Sequence, residues 1–119
     1  MTQQLYKSVM GSNPSEFISP DHPVEHVDWE DVRLFINRLN EFIENLDLVL
    51  PSESQWEYAC RAGSTTPFEP CVALIHNGLS ISSDEVNFDG KEPYGKTPKG
   101  WNRNKPISVK EPRFRPNKW

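Results

Sequence analysis

LPSESQWEYACRAGSTTPF, residues Leu50 to Phe68, carries the densest set of local signals in the chain. Pro51 sets the chain direction just before a helix start. Ser52 and Gln55 have the spacing of a reciprocal cap, in which the hydroxyl accepts the third amide and the Gln side chain reaches back. Trp56, Ala59 and Cys60 fall on one stripe of a short helix, and Arg61 near its end suits the negative pole of the dipole. Gly63 is placed to close the helix in a left-handed conformation. Ser64-Thr65-Thr66 and Pro67 then turn the chain out into a loop. On physical grounds alone, this is a capped two-turn helix that serves as scaffold.

The rest of the chain sets the bounds. Its 119 residues allow one domain, and at this size folding removes about two thirds of the unfolded surface from water. Only 35% of residues are hydrophobic, so four Trp, three Tyr and six Phe must supply much of a lean core. Eleven Pro and six Gly point to an α+β domain rich in turns. A net charge of −4 without a basic block argues against nucleic acid as a partner. Two cysteines, Cys60 and Cys71, are too few for a disulfide scaffold and give no paired CxxC for zinc. One bridge between them can form, but a buried free Cys60 on the helix stripe is the favoured state. The opening MTQQLYKSVM has neither a basic start nor an apolar run, and no segment approaches the length that crosses a bilayer. The expectation is a soluble, cytoplasmic protein with no membrane contact.

Before the central stretch, Thr2 caps a first helix with Leu5, Tyr6, Val9 and Met10 at helical spacing and Gly11 as its stop. His22 and His26 stand four apart, but Pro23 between them argues against a helix, and no Cys or third His joins them. They are therefore read as loop residues rather than metal ligands. Asp28 caps the longest helix, with Asp31 adding favourable charge at its amino end. Trp29, Val32, Phe35, Ile36, Leu39, Phe42 and Ile43 form its apolar stripe, with Glu30, Arg33, Asn37, Arg38 and Glu41 opposite. Asn45-Leu46-Asp47 ends that helix, and Leu48-Val49-Leu50 reads as a short strand. After Pro67, Cys71-Val72-Ala73-Leu74-Ile75 is compatible with one buried strand, and His76-Asn77-Gly78 and Asp89-Gly90 are turn signals. No Gly-rich phosphate loop, nucleophile elbow or HExxH motif occurs.

LPSESQWEYACRAGSTTPF closely resembles the signature segment of the formylglycine-generating enzyme (sulfatase-modifying factor) domain family, which usually reads near LPTEAEWEYACRAGTTTPF. TQQLYKSVMGSNPSEF, PVEHVDW, SSDEVNFDGKEPYGKTPKG and KPISVKEPRFRPNKW are similar to successive family phrases. The segment PFEPCVALIHNG departs from the pattern. The resemblance implies an α+β, incomplete C-type-lectin-like domain with two main helices, short strands and much irregular loop. By the same comparison, residues 1–119 form a single partial domain. It lacks the family's first strands and its carboxy-terminal half.

The family oxidises a sulfatase cysteine to formylglycine with a copper-bound cysteine pair, and no residue here matches that pair. The resemblance therefore implies no catalytic residue, no copper site, and a chain inactive by itself. It also implies a calcium site in which Asn87 gives its side chain and Phe88 its carbonyl, the alternative being a plain turn capped by Asn and Asp. The family's acidic partner for that ion aligns near Trp101, which has no carboxylate. Implied partners are a protein that completes the fold or a protein or glycan ligand. The alternative function is a non-catalytic C-type-lectin-like binding module. A decaying reading frame is a third reading, which the altered segment around Cys71 also fits.

Overall fold

The structure is a computed structural model and describes residues 1–66, 81–83, 86–94, 99–102 and 104–108. The expected strand at Cys71–Ile75, the turn at His76–Gly78 and the closing phrase from residue 109 lie outside the described residues. Two compact units are present. The first holds Met1–Leu50 with residues 106–108, and the second holds the described residues from Pro51 to Lys105.

The first unit is a pair of packed helices tied by a loop. Helix α1 spans Gln3–Met10. The Thr2 hydroxyl accepts the Leu5 amide at 3.3 Å, satisfying one of the amides a helix start leaves open. Gly11, at φ +83°, ends the helix and donates its N–H to Lys7 O at 2.9 Å. Helix α2 spans Trp29–Phe42. Asp31 gives more than charge at its start. Its amide donates to Asp28 Oδ1 at 2.9 Å while its own carboxylate accepts the Asp28 amide at 3.1 Å, a reciprocal cap built from two aspartates.

Helix α2 ends at Phe42, short of the expected Asn45–Asp47, and Ile43 is its cap. The physical reason is Asn40, whose side chain both donates to Leu48 O and accepts from Leu48 N, each at 3.0 Å. That pair of bonds, with Asn45 at φ +62°, folds the chain back along the helix instead of extending it. Leu48–Leu50 joins no strand. The β contact found among the described residues is one isolated antiparallel bridge between Thr2 and Pro23. Two main helices with short strands were expected; the described residues hold three helices and no strand.

Tyr6, Val9 and Phe35 are the core of this unit, with Met10, Val24, Val27, Ile36 and Leu39 packed around them. The Tyr6 and Phe35 rings stack at 5.7 Å between centroids. Phe35, on the apolar stripe of α2, is buried because α1 supplies Tyr6 as its partner. Burying one such ring contributes roughly 1.5–3 kcal/mol. Arg38 is not turned outward either: its Nη1 donates to Met10 O at 3.3 Å, closing the end of α1.

Helix α3, Glu53–Arg61, opens the second unit. The predicted cap is present. Ser52 Oγ accepts the Gln55 amide at 3.3 Å, and Gln55 Oε1 accepts the Ser52 amide at 2.9 Å. Ala62 takes the left-handed position expected of Gly63, at φ 44°, and Gly63 follows at φ +82°. Arg61 closes the turn by bonding Glu57 Oε1 at 2.6 Å and Thr66 O at 3.1 Å. The stripe of Trp56, Ala59 and Cys60 is exposed, contrary to the expected buried face. The buried residues among those described in this unit, Ala62, Ile81, Ser83 and Gly90, follow the helix in sequence rather than lie on it.

Residues near Ser83, Gly90 and Trp101 form a backbone knot. Gly90 N–H donates to Trp101 O at 2.8 Å, Gly100 N–H to Gly90 O at 2.7 Å, and Trp101 N–H to Ser83 Oγ at 2.9 Å. A Cβ on Gly90 would meet Trp101 O and come within 2.5 Å of Ser83 Oγ, so only glycine fits there.

Candidate functional site

Gln3 is the residue around which the first unit's loop is built. It follows the Thr2 cap and shares the helical stripe of Tyr6 and Met10, yet it is polar and only 1% exposed. Burial of an amide is tolerated when each of its atoms is bonded. Its Nε2 donates to Phe17 O at 3.0 Å and Pro23 O at 3.2 Å, and its Oε1 accepts from Asn13 Nδ2 and Ser19 N, both at 3.0 Å. The signal for Gln3 in the sequence is a polar side chain standing on an apolar stripe.

Glu25 holds the same loop from the other side. Its Oε1 accepts the Phe17 amide at 2.8 Å, and its backbone N–H donates to Ser15 Oγ at 3.2 Å. The Phe17 N–H, followed by the neighbouring His26 and the Glu16 amide, holds the Glu25 carboxyl below its usual range, with partial burial opposing. His26 Nδ1 meets Glu25 Oε2, and His26 takes φ +58° to do so. His22 is used through its backbone: its carbonyl accepts the Gln3 amide and its N–H donates to Ser19 O. No group of three or more His, Cys, Asp or Glu able to hold a metal occurs among the described residues.

Between α1 and the following loop lies an open cleft of about 530 Å³, floored by Gln3 and walled by Gln4, Lys7, Ser8, Ile18 and Pro20. A smaller groove of about 200 Å³ runs beside α2, where Trp29, Ile36 and Val49 meet Arg33. The Arg33 guanidinium lies 4.7 Å from the Trp29 ring centroid and bonds Glu30 at 3.2 Å.

Asn87 and Phe88, the residues to which a calcium site was assigned, sit beside the backbone knot. Asn87 is exposed, and its Nδ2 donates to Lys105 O at 3.1 Å. Asp89 Oδ1 accepts the Lys91 amide at 3.0 Å. The Asn87 amide oxygen and the Phe88 carbonyl supply two donors of the right class, while calcium takes six to eight. Asp84 and Glu85 lie outside the described residues.

Copper fits less well. Cys60 is free and exposed on α3, and a Cu(I) dithiolate needs a second thiolate converging on it. Cys71 lies outside the described residues. The expected buried state of Cys60 is thereby corrected: α3 carries no buried residue that would enclose its thiol.

No helix among the described residues is long and apolar enough to cross a membrane. No solved structure matches the chain. It is similar to formylglycine-generating enzyme of Bos taurus, 41% identical over 44 residues, a stretch covering 37% of this chain and 10% of that protein. The chain thus matches only about a tenth of the length of this curated relative. The family model described as Sulfatase-modifying factor enzyme 1-like domain matches residues 2–112. That match takes in α1, α2 and the capped α3 together, and the chain belongs to the sulfatase-modifying factor domain family.

Proposed function

We propose that this chain builds scaffold of a formylglycine-generating-enzyme-like domain, with a C-type-lectin-like α+β architecture, and does not oxidise a cysteine by itself. The observation that carries this reading is the state of its thiols. Of two cysteines in 119 residues, Cys60 stands free and exposed on a surface helix, and copper oxidation chemistry on a thiol needs a converging pair. The test is to incubate the purified chain with Cu(I), oxygen and a cysteine-containing sulfatase peptide, and to follow aldehyde formation by mass spectrometry. No formylglycine product is expected. Product that disappears in Cys60→Ser would overturn the assignment.

The same reading gives the chain a protein partner that completes the domain. Its support is the exposure of Trp29, Trp56 and Val49, large apolar side chains that a finished domain covers. A cytoplasmic location belongs to this reading, and recovery of the chain in the cytosolic fraction of lysed cells checks it. Calcium binding at Asn87 and Phe88 is also part of it. With two donors from this loop the ion is held weakly, so millimolar calcium raises the melting temperature slightly in the wild type and not in Asn87→Ala. The second reading, a non-catalytic module for a protein or glycan ligand, is favoured by Tyr94 and Trp101, exposed aromatics flanking the knot at Gly90. A glycan array on the purified chain, with Trp101→Ala as control, separates the two readings.

A further inference from the structure

We infer that the cleft between α1 and the loop after it is a binding site for a small organic anion with an apolar tail. The site lies wholly in the first unit and does not rest on the enzymatic reading. Helical spacing places Gln3 with Lys7, and Gln4 with Ser8, so one helix face supplies one wall of the cleft. Its volume of about 530 Å³ is that of a small-molecule pocket. The floor is preorganised, because the four bonds of Gln3 leave that side chain no freedom and no unmet demand.

The chemistry of the walls selects the ligand. Lys7 enters none of the ion pairs among the described residues, so its ammonium is an unspent positive charge. No carboxylate side chain lines the cleft to oppose an incoming anion. Ser8 is oriented against serving the anion, since its hydroxyl donates to Leu5 O at 2.8 Å. The charge recognition therefore falls to Lys7, with the Gln4 amide beside it. From the loop, beside the polar Asn13 and Ser19, come two apolar side chains: Ile18 is 71% exposed and Pro20 is exposed, a surface that an alkyl or aryl tail would cover. A cation on the helix side, facing Ile18 and Pro20 on the loop side, fits a carboxylate on a short hydrocarbon chain.

The experiment is a titration of the full chain with hexanoate, followed by backbone amide shifts of Gln4, Lys7 and Ile18. Acetate and hexylammonium are the controls. Saturable shifts confined to the cleft are expected with hexanoate, weaker binding with acetate, and none that saturates with hexylammonium. Losing one charge-assisted contact weakens binding by roughly ten-fold or more, so Lys7→Ala should lose saturation in the accessible range while Lys7→Arg keeps it. Ile18→Ser should bring hexanoate to the affinity of acetate. Lys7 and Ile18 are exposed, and unchanged circular dichroism of each variant confirms that the fold is intact. Non-saturating shifts in the wild type, equal binding in Lys7→Ala, or an equal response to hexylammonium would each overturn the proposal.

Discussion

Gln3 and Glu25 show how single polar side chains organise a loop that has no regular structure. Four hydrogen bonds converge on the buried Gln3 amide. Gln3→Ala strands two carbonyls, one amide and the Asn13 side chain at once, and each buried group left unbonded costs about 1–3 kcal/mol where water cannot reach it. Urea denaturation should show a loss of at least about 2 kcal/mol. Gln3→Glu should cost at least as much, because its carboxylate can accept from Asn13 and Ser19 but buries a charge against the Phe17 and Pro23 carbonyl oxygens, to which it cannot donate.

Glu25 makes the loop sensitive to acid. Its carboxyl is held below the ordinary value by the Phe17 amide and by His26, so the folded form binds its proton less readily than the unfolded one. Its stabilising effect is present above about pH 4.5, the ordinary value for this group, and is lost as pH falls through the lower folded-state value. An NMR titration should find the Phe17 amide moving with the Glu25 carboxyl in that acid range. In Glu25→Gln that titration step disappears, and amide exchange at Phe17 becomes faster at neutral pH.

At the scale of the element, the caps decide where helices begin. Ser52→Ala removes the acceptor of the Gln55 amide in α3 and should cost about 1 kcal/mol. A nine-residue helix with no buried residue has little packing to replace that bond. Helix content should therefore fall at Glu53–Arg61 while α1 and α2 hold, which residue-specific carbon shifts would report.

The three helix starts were legible because Thr2, Asp28 and Ser52 act through bonds to amides three residues away, and local spacing encodes those bonds completely. Helix ends were less legible. The end of α2 depends on Asn40 finding Leu48, and the end of α3 has alanine, not glycine, in the first left-handed position. Burial was the least legible of all. Periodicity marks Trp56 and Cys60 as one stripe, but only a neighbouring surface can bury a stripe, and no local pattern states whether it is there. Phe35 is the opposite case, a stripe residue whose partner, Tyr6, lies 29 positions earlier. The candidate cleft went unread for the same reason, since Lys7 and Ile18 belong to separate local patterns that only the fold brings together.

For the whole molecule, the balance of apolar surface leads to a prediction about its tryptophans. Among the described residues the buried apolar side chains are Tyr6, Val9, Phe35, Ala62 and Ile81, while Trp29, Trp56 and Trp101 are each more than half exposed. Over the described residues, so small a core leaves little to offset the conformational entropy lost on folding. The chain alone should melt over a broad range at modest temperature, since few side chains share one cooperative cluster. Its tryptophan emission should already lie close to that of the urea-unfolded chain, because three of its four indoles face water when folded. If a protein partner covers the faces carrying Trp29 and Trp56, its addition should shift the emission to shorter wavelength and sharpen the melt together, since one burial event produces both effects. Trp29→Ala and Trp56→Ala should each remove part of the shift, whereas Trp101→Ala should leave the sharpened melt unchanged. A sharp, reversible, high-temperature melt of the monomer with strongly blue-shifted emission would mean that the chain covers these indoles itself, and the completing partner would have no surface left to explain.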